Sequence, residues 1–175
     1  MPFKAFAKAF PEGKVFLNKI PKFSKHPILF LLDHFVEIVF LWATVSHDRT
    51  HAILCDTIEH EDDRLHRKEY VWGFNVGRDS VAYTLDAIRE QDDLINVKVG
   101  GRDVVVAYDP EYESVGIYYN DSGAPVSKIN FWGESDRGKL PRVETVKAAS
   151  YWFVWVTYFP ETDLNRLAPA LEAVA

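Results

Sequence analysis

One cysteine, Cys55, is all the thiol chemistry this chain has. A single thiol closes no intramolecular disulfide, and it excludes a thiolate metal cluster and a Cys-x-x-Cys redox pair. Cys55 follows the apolar run Ala52–Leu54, the setting of a packed, inert thiol rather than of a nucleophile. Phosphate-loop, Gly-x-Gly-x-x-Gly, Gly-x-Ser-x-Gly and zinc-finger spacings are also missing, which removes the common nucleotide enzymes and serine hydrolases. No cluster of Lys and Arg stands in the central or C-terminal parts, and the formal charge is −6, so no nucleic-acid partner is expected. The chain does not open on an unbroken apolar core followed by a small-residue cleavage site. Its longest apolar stretch, Pro27–Val45, is interrupted by Asp33, His34 and Glu37, and each acid would be costly at a bilayer centre. The expectation is a cytoplasmic protein with no integral membrane segment.

What is there suits one α+β domain. A chain of 175 residues with 47% hydrophobic and 26% charged content folds without staples. The 14% aromatic fraction calls for a core, a ligand groove or a partner surface large enough to hold it. Lys4, Lys8, Lys14, Lys19, Lys22 and Lys25 face one acid, Glu12, in a basic N-terminal arm over residues 1–26. Asp56, Glu59, Glu61, Asp62 and Asp63 make the following stretch acidic. These are two solvated faces, or they pair within the fold or between copies, which keeps a homo-oligomer or protein partner open.

Phe3, Phe6, Ala7 and Phe10 recur at helical spacing before Pro11, so a short amphipathic helix is predicted that docks through them onto its own domain, the alternatives being a membrane surface or a partner groove. From Pro27 to about Ala43 a helix is predicted that is buried nearly all round, within a helical and loop part spanning residues 27–69; the β-branched Val36, Ile38, Val39, Thr44 and Val45 leave a strand open for its second half. Residues 70–132 read as antiparallel hairpins in one curved sheet or partial barrel. Strands are expected at Tyr70–Val76 and Ser80–Tyr83, at Leu94–Val99 and Asp103–Tyr108 around Gly100–Gly101, and at Val115–Tyr119 and Pro125–Trp132 around Asn120–Gly123. Thr84 and Asp86 open a brief helix between the first two hairpins. Residues 144–175 form a C-terminal helical part: an aromatic helix from about Glu144 to Phe159, then a short helix after Asp163.

The order of Asp63–Arg64–Leu65, Val71-x-Gly73, Ala82–Tyr83, Gly100–Gly101, Val104–Tyr108, Tyr119–Asn120 and Phe159–Pro160–Glu161–Thr162 resembles the bacterial and archaeal domain of unknown function 3179 family. Many members of that family carry Cys-Pro-x-Cys-Gly-Ser after the strand matching Val104–Tyr108. Here the same place reads Asp109–Pro110–Glu111–Tyr112–Glu113–Ser114. Many members also have a His in the loop before the Gly-Gly hairpin, where this chain has Gln91, Asp92 and Asp93. The resemblance implies the fold, and no thiol- or imidazole-dependent role of those loops transfers.

All six histidines fall between residues 26 and 66. His47 and His51, four apart, with Asp62 and Asp63 as carboxylates, form the candidate metal set; no cofactor is expected, and a bound metal is the minor alternative. Asp62 or Asp63 is also expected to hold Arg64 in a bidentate pair that orders the entry to the sheet. Asp109, Glu111 and Tyr112, at the position of the family's cysteines, are the candidate ligand loop, which otherwise is a polar turn shaped by Pro110. Trp152 and Trp155 lead the late aromatic cluster, with Tyr118, Phe131 and Trp132 among its members; core packing is their default role, an apolar small-molecule pocket the other. Tyr151–Phe159 is expected to carry more of the fold than any polar cluster, and Asp109 to weigh little in stability. The chain as a whole reads as a non-catalytic binding or assembly module. The competing reading is a carboxylate- and histidine-dependent, metal-assisted enzyme acting on a small molecule.

Overall fold

The computed structural model describes residues 1–15, 27–48, 60–144 and 149–167. The chain divides into two compact units, Met1–Pro11 with Ile58–Ala175, and Glu12–Thr57. The smaller unit contains helix α2, Pro27–Asp48, helical through the β-branched second half. Its described side chains are exposed, among them Leu31 at 71% and Trp42 at 72%, so the expected all-round burial is corrected. Apolar composition produces burial only where other elements cover a helix, and α2 is the one regular element described in its unit. Among the described residues no helix is long and apolar enough to cross a membrane. Cys55 and His51 lie outside the described residues, as does the side chain of His47.

The larger unit opens with α1, Phe3–Ala9, and holds every strand found among the described residues. β1 (Tyr70–Val76) and β2 (Asp79–Thr84) form an antiparallel hairpin in the register Val71↔Thr84 to Val76↔Asp79. Thr84 then caps α3 (Leu85–Arg89), its Oγ1 accepting from Ala87 N at 3.2 Å, which satisfies one of the free donors of the first turn. β3 (Leu94–Val99), β4 (Arg102–Asp109) and β5 (Ser114–Tyr119) form a second antiparallel sheet. Gly100 and Gly101 connect β3 to β4 with φ of 55° and 78°, the positive pair that a two-residue turn matching strand twist requires. β6 (Glu134–Ser135) and β7 (Gly138–Lys139) are a minimal third pair. The helices and mainly antiparallel strands make the α+β class plain, and the sheets do not close. The hairpins are distributed over separate sheets, because β2 is followed by α3 rather than by a turn that would pair β2 with β3.

Period-two alternation places the core. Phe74, Val76, Val81 and Tyr83 point from the first sheet toward Ile95, Val97, Val99, Val104, Val106, Val115 and Ile117 of the second. Tyr83, deep in this layer, donates to Arg166 O at 2.6 Å, and burial raises its pKa. On the opposite face of the first sheet, Val71 and Ala82 meet Trp152, Trp155 and Val156. On the outer face of the second, Val105 and Tyr118 meet Val126 and Leu140. Both sheets are therefore covered on both sides.

Three expectations about the second half of the chain need correction. Pro125–Trp132 is not a strand, because the free edge of β5 is taken instead by residues 141–143. Tyr119 N donates to Pro141 O and Val143 N to Ile117 O, both at 2.9 Å, and Asn120 shapes the preceding turn through Ala124 O and Ser122. The C-terminal aromatic helix is only α4, Trp152–Tyr158. Before it, β8 (Ser150–Tyr151) pairs with the edge of β1, as the β-rich composition there allows. After it, β9 (Asp163–Leu164) runs parallel to β2 where a helix was expected; residues 168–175 lie outside the described ones.

The segment entering β1 is fastened to α4. Arg64 Nε donates to Asp62 Oδ2 at 2.9 Å and Nη2 to the same oxygen at 2.6 Å, while Nη1 reaches Thr162 O at 2.9 Å. The guanidinium lies 5.1 Å from the Trp152 ring, and Trp152 Nε1 donates to Asp62 O at 3.1 Å. The hydrogen bonds from Arg64 hold the Asp62 carboxyl below its ordinary range. Asp62 is thus the partner of Arg64, and Asp63 is exposed beside it.

Candidate functional site

The β4–β5 connection is built by Asp109. Its Oδ1 accepts from Glu111 N at 2.8 Å and Tyr112 N at 3.2 Å, and its Oδ2 accepts from Phe131 N at 2.8 Å. One carboxylate therefore closes the loop and ties it to the segment that follows β5. Glu113 completes the loop at φ 45°, a left-handed conformation costing a side chain about 1–2 kcal/mol, in the position where the family pattern has glycine. Glu113→Gly is expected to raise the melting temperature slightly, strain relief outweighing the added freedom of glycine in the unfolded chain. A thermal melt with an unchanged or lowered midpoint would count against that reading of the turn.

The basic arm reaches this loop. Lys8 Nζ pairs with Glu111 Oε1 at 2.6 Å and stands 5.7 Å from the Tyr112 ring; Glu111 raises the pKa of Lys8. The α1 face that docks differs from the predicted one. Ala5 is buried, Phe6 and Ala9 are half-buried, and Phe3 is 69% exposed. Docking beside a polar loop turns Lys8 toward the domain and rotates Phe3 outward.

Above the loop the rings form a chain. Phe10 meets Trp132 at 5.7 Å, Trp132 meets Tyr112 at 6.1 Å and Phe131 at 5.1 Å, and Tyr112 meets Phe131 at 4.9 Å. Beside them opens a cleft of about 460 Å³ lined by Phe10, Tyr118, Phe131, Trp132, Lys139, Leu140, Pro141 and Arg142. Tyr118 is its fixed floor: it is buried, its hydroxyl donates to Phe131 O at 2.6 Å, and burial raises its pKa. The ring lies over Gly116, where a Cβ would stand 2.3 Å from the hydroxyl. Arg142 enters through the bridge Tyr118↔Arg142, its guanidinium 5.5 Å from the Phe131 ring and 6.0 Å from that of Tyr118.

The remaining candidates lie elsewhere. Trp152 and Trp155 are core residues on the far face of the first sheet, 0% and 9% exposed, and are not brought to Asp109, Glu111 and Tyr112. Trp155 Nε1 is bonded to Thr162 Oγ1 at 3.0 Å. Among the described residues no three His, Cys, Asp or Glu side chains gather as a metal requires, and Asp62 is already engaged by Arg64. A separate hollow of about 410 Å³ is lined by Glu69, Tyr70, Trp72, Leu85, Asp86 and Ala149. Sequence reasoning misses Lys139 and Arg142: three apart in an extended segment, they fall on opposite faces by simple alternation, and only the tertiary structure brings both to the cleft.

No curated protein and no solved structure shows a significant match to this sequence. Residues 1–162 match the family described as Protein of unknown function (DUF3179). That match takes in α1, both hairpin sheets, the Asp109 loop and the cleft beside it, and so the chain belongs to the DUF3179 family.

Proposed function

We propose that this chain is a non-catalytic binding module that takes a small molecule in the cleft between Phe10 and Arg142. The observation that carries the reading is Trp132: it remains 43% exposed although it sits at the centre of a chain of packed rings beside an open cleft. An aromatic face fixed by its neighbours loses little entropy when a ligand covers it. The competing enzyme reading needs a carboxylate available for proton transfer or metal binding at the loop. Both oxygens of Asp109 accept backbone N–H groups, and Glu111 is paired with Lys8. These groups support the scaffold role better than an acid–base one.

The test uses a neutral probe, 2-naphthalenemethanol, titrated while the tryptophan indole N–H resonances are followed by NMR. The Trp132 signal is expected to shift saturably with a Kd of about 0.1–1 mM, as suits a fragment of this size, and Trp132→Ala is expected to abolish saturable binding while the protein stays folded. Absence of a saturable shift at Trp132, or undiminished binding by folded Trp132→Ala, would overturn the reading.

A further inference from the structure

The cleft carries a charge signature that the aromatic walls alone do not explain. Its only ionic lining residues are Lys139 and Arg142, both cations, in a chain with 26 acids against 20 Lys and Arg. Neither makes an ion pair among the described residues, a trait shared with Lys4, Lys14, Arg78, Arg89 and Lys128, none of which lines the cleft. The nearest acid in the strand register, Glu134, stands opposite Lys139, and its Oε2 accepts from Asn130 Nδ2 at 3.0 Å. Arg142 is braced in place: its backbone is tied to β5, its Nη2 reaches Val115 O at 3.5 Å, and its guanidinium rests near the rings of Phe131 and Tyr118. A guanidinium held this way beside an apolar wall presents its free N–H groups as a fork, which matches a planar carboxylate.

We infer that the cleft selects small organic anions, with the apolar body of the ligand against Trp132, Phe10 and Phe131 and a carboxylate against Arg142 and Lys139. This rests on the binding-module reading and adds the ligand class to it. Opposite sign marks the other hollow, whose ionic lining residues are Glu69 and Asp86, so the two sites are distinguished by the charge of one probe series.

The experiment compares naphthalene-2-carboxylate, 2-naphthalenemethanol and 2-naphthylmethylammonium on the full chain, reading the Trp132 indole resonance. The carboxylate is expected to bind about tenfold more tightly than the alcohol at low salt, with the advantage shrinking as salt rises. Arg142→Gln is expected to weaken the carboxylate more than the alcohol and so remove most of that advantage, and Lys139→Gln part of it. Equal affinity for carboxylate and alcohol at Trp132 would overturn the anion preference and leave the binding module standing. Tighter binding of the ammonium at Trp132 would overturn it as well. Failure of all three probes to perturb Trp132 would overturn both.

Discussion

Trp155→Ala is expected to lose about 3–5 kcal/mol, a large share of a domain total of about 5–15, and to leave the protein poorly soluble or partly unfolded. The indole is 9% exposed, stacks on Phe159 at 4.2 Å and donates to the buried Thr162 hydroxyl. Its face lies directly on β1 at Gly73, where an added Cβ would sit 2.5 Å from the indole carbons. That contact makes the Val71-x-Gly73 motif intelligible: the glycine is the space that the tryptophan fills. The two positions should therefore be strongly coupled. Gly73→Ala alone is expected to destabilise by about 1–3 kcal/mol, as overpacking does. Placed in a Trp155→Ala background it should cost little, since the clash is gone and glycine is unfavourable inside a strand. Denaturant melts of the four proteins in the cycle read the coupling. A Trp155→Ala protein that melts like the parent, or strictly additive effects, would refute the contact.

Asp109→Ala is expected to destabilise by about 2–3 kcal/mol, because three backbone N–H groups lose their acceptor and the N–H of Phe131 is partly buried. Asp109→Asn should recover part of this, since one amide oxygen replaces two carboxylate oxygens and the amide nitrogen cannot accept. Chemical denaturation of the pair would show the order Ala, then Asn, then parent. If both variants matched the parent, the loop would be held by Pro110 and the strand ends alone. The loop's stability also bears on the cleft, since Asp109 positions Phe131 and, through it, the acceptor of the Tyr118 hydroxyl. The expectation that Asp109 weighs little in stability, drawn from its place in a loop, does not fit this geometry. A short polar side chain in a turn can be an anchor when it accepts from distant backbone, and that partner, Phe131, lies 22 residues away.

The amino-acid sequence determined the local structure where local physics suffices. The limits Tyr70–Val76 and Leu94–Val99 match the strands because alternation and flanking glycines specify them, and the Thr84 cap needs only its own turn. The Arg64 clasp was likewise legible, its partner being two residues away. Tertiary structure decided which elements meet. Residues 141–143 rather than 125–132 occupy the edge of β5, and the helical stretch before Pro160 shortens because Ser150–Tyr151 finds the edge of β1. α1 docks by Ala5 and half-buried Phe6 and Ala9 instead of the Phe3 side. It also separated the candidate residues, sending Trp152 and Trp155 to the core behind the first sheet and joining Phe10 to Trp132, Lys139 and Arg142 across more than 120 residues. The reason is that strand edges and helix faces are satisfied by whichever distant segment supplies the best hydrogen bonds and contacts, and that competition leaves no mark in any short window of sequence.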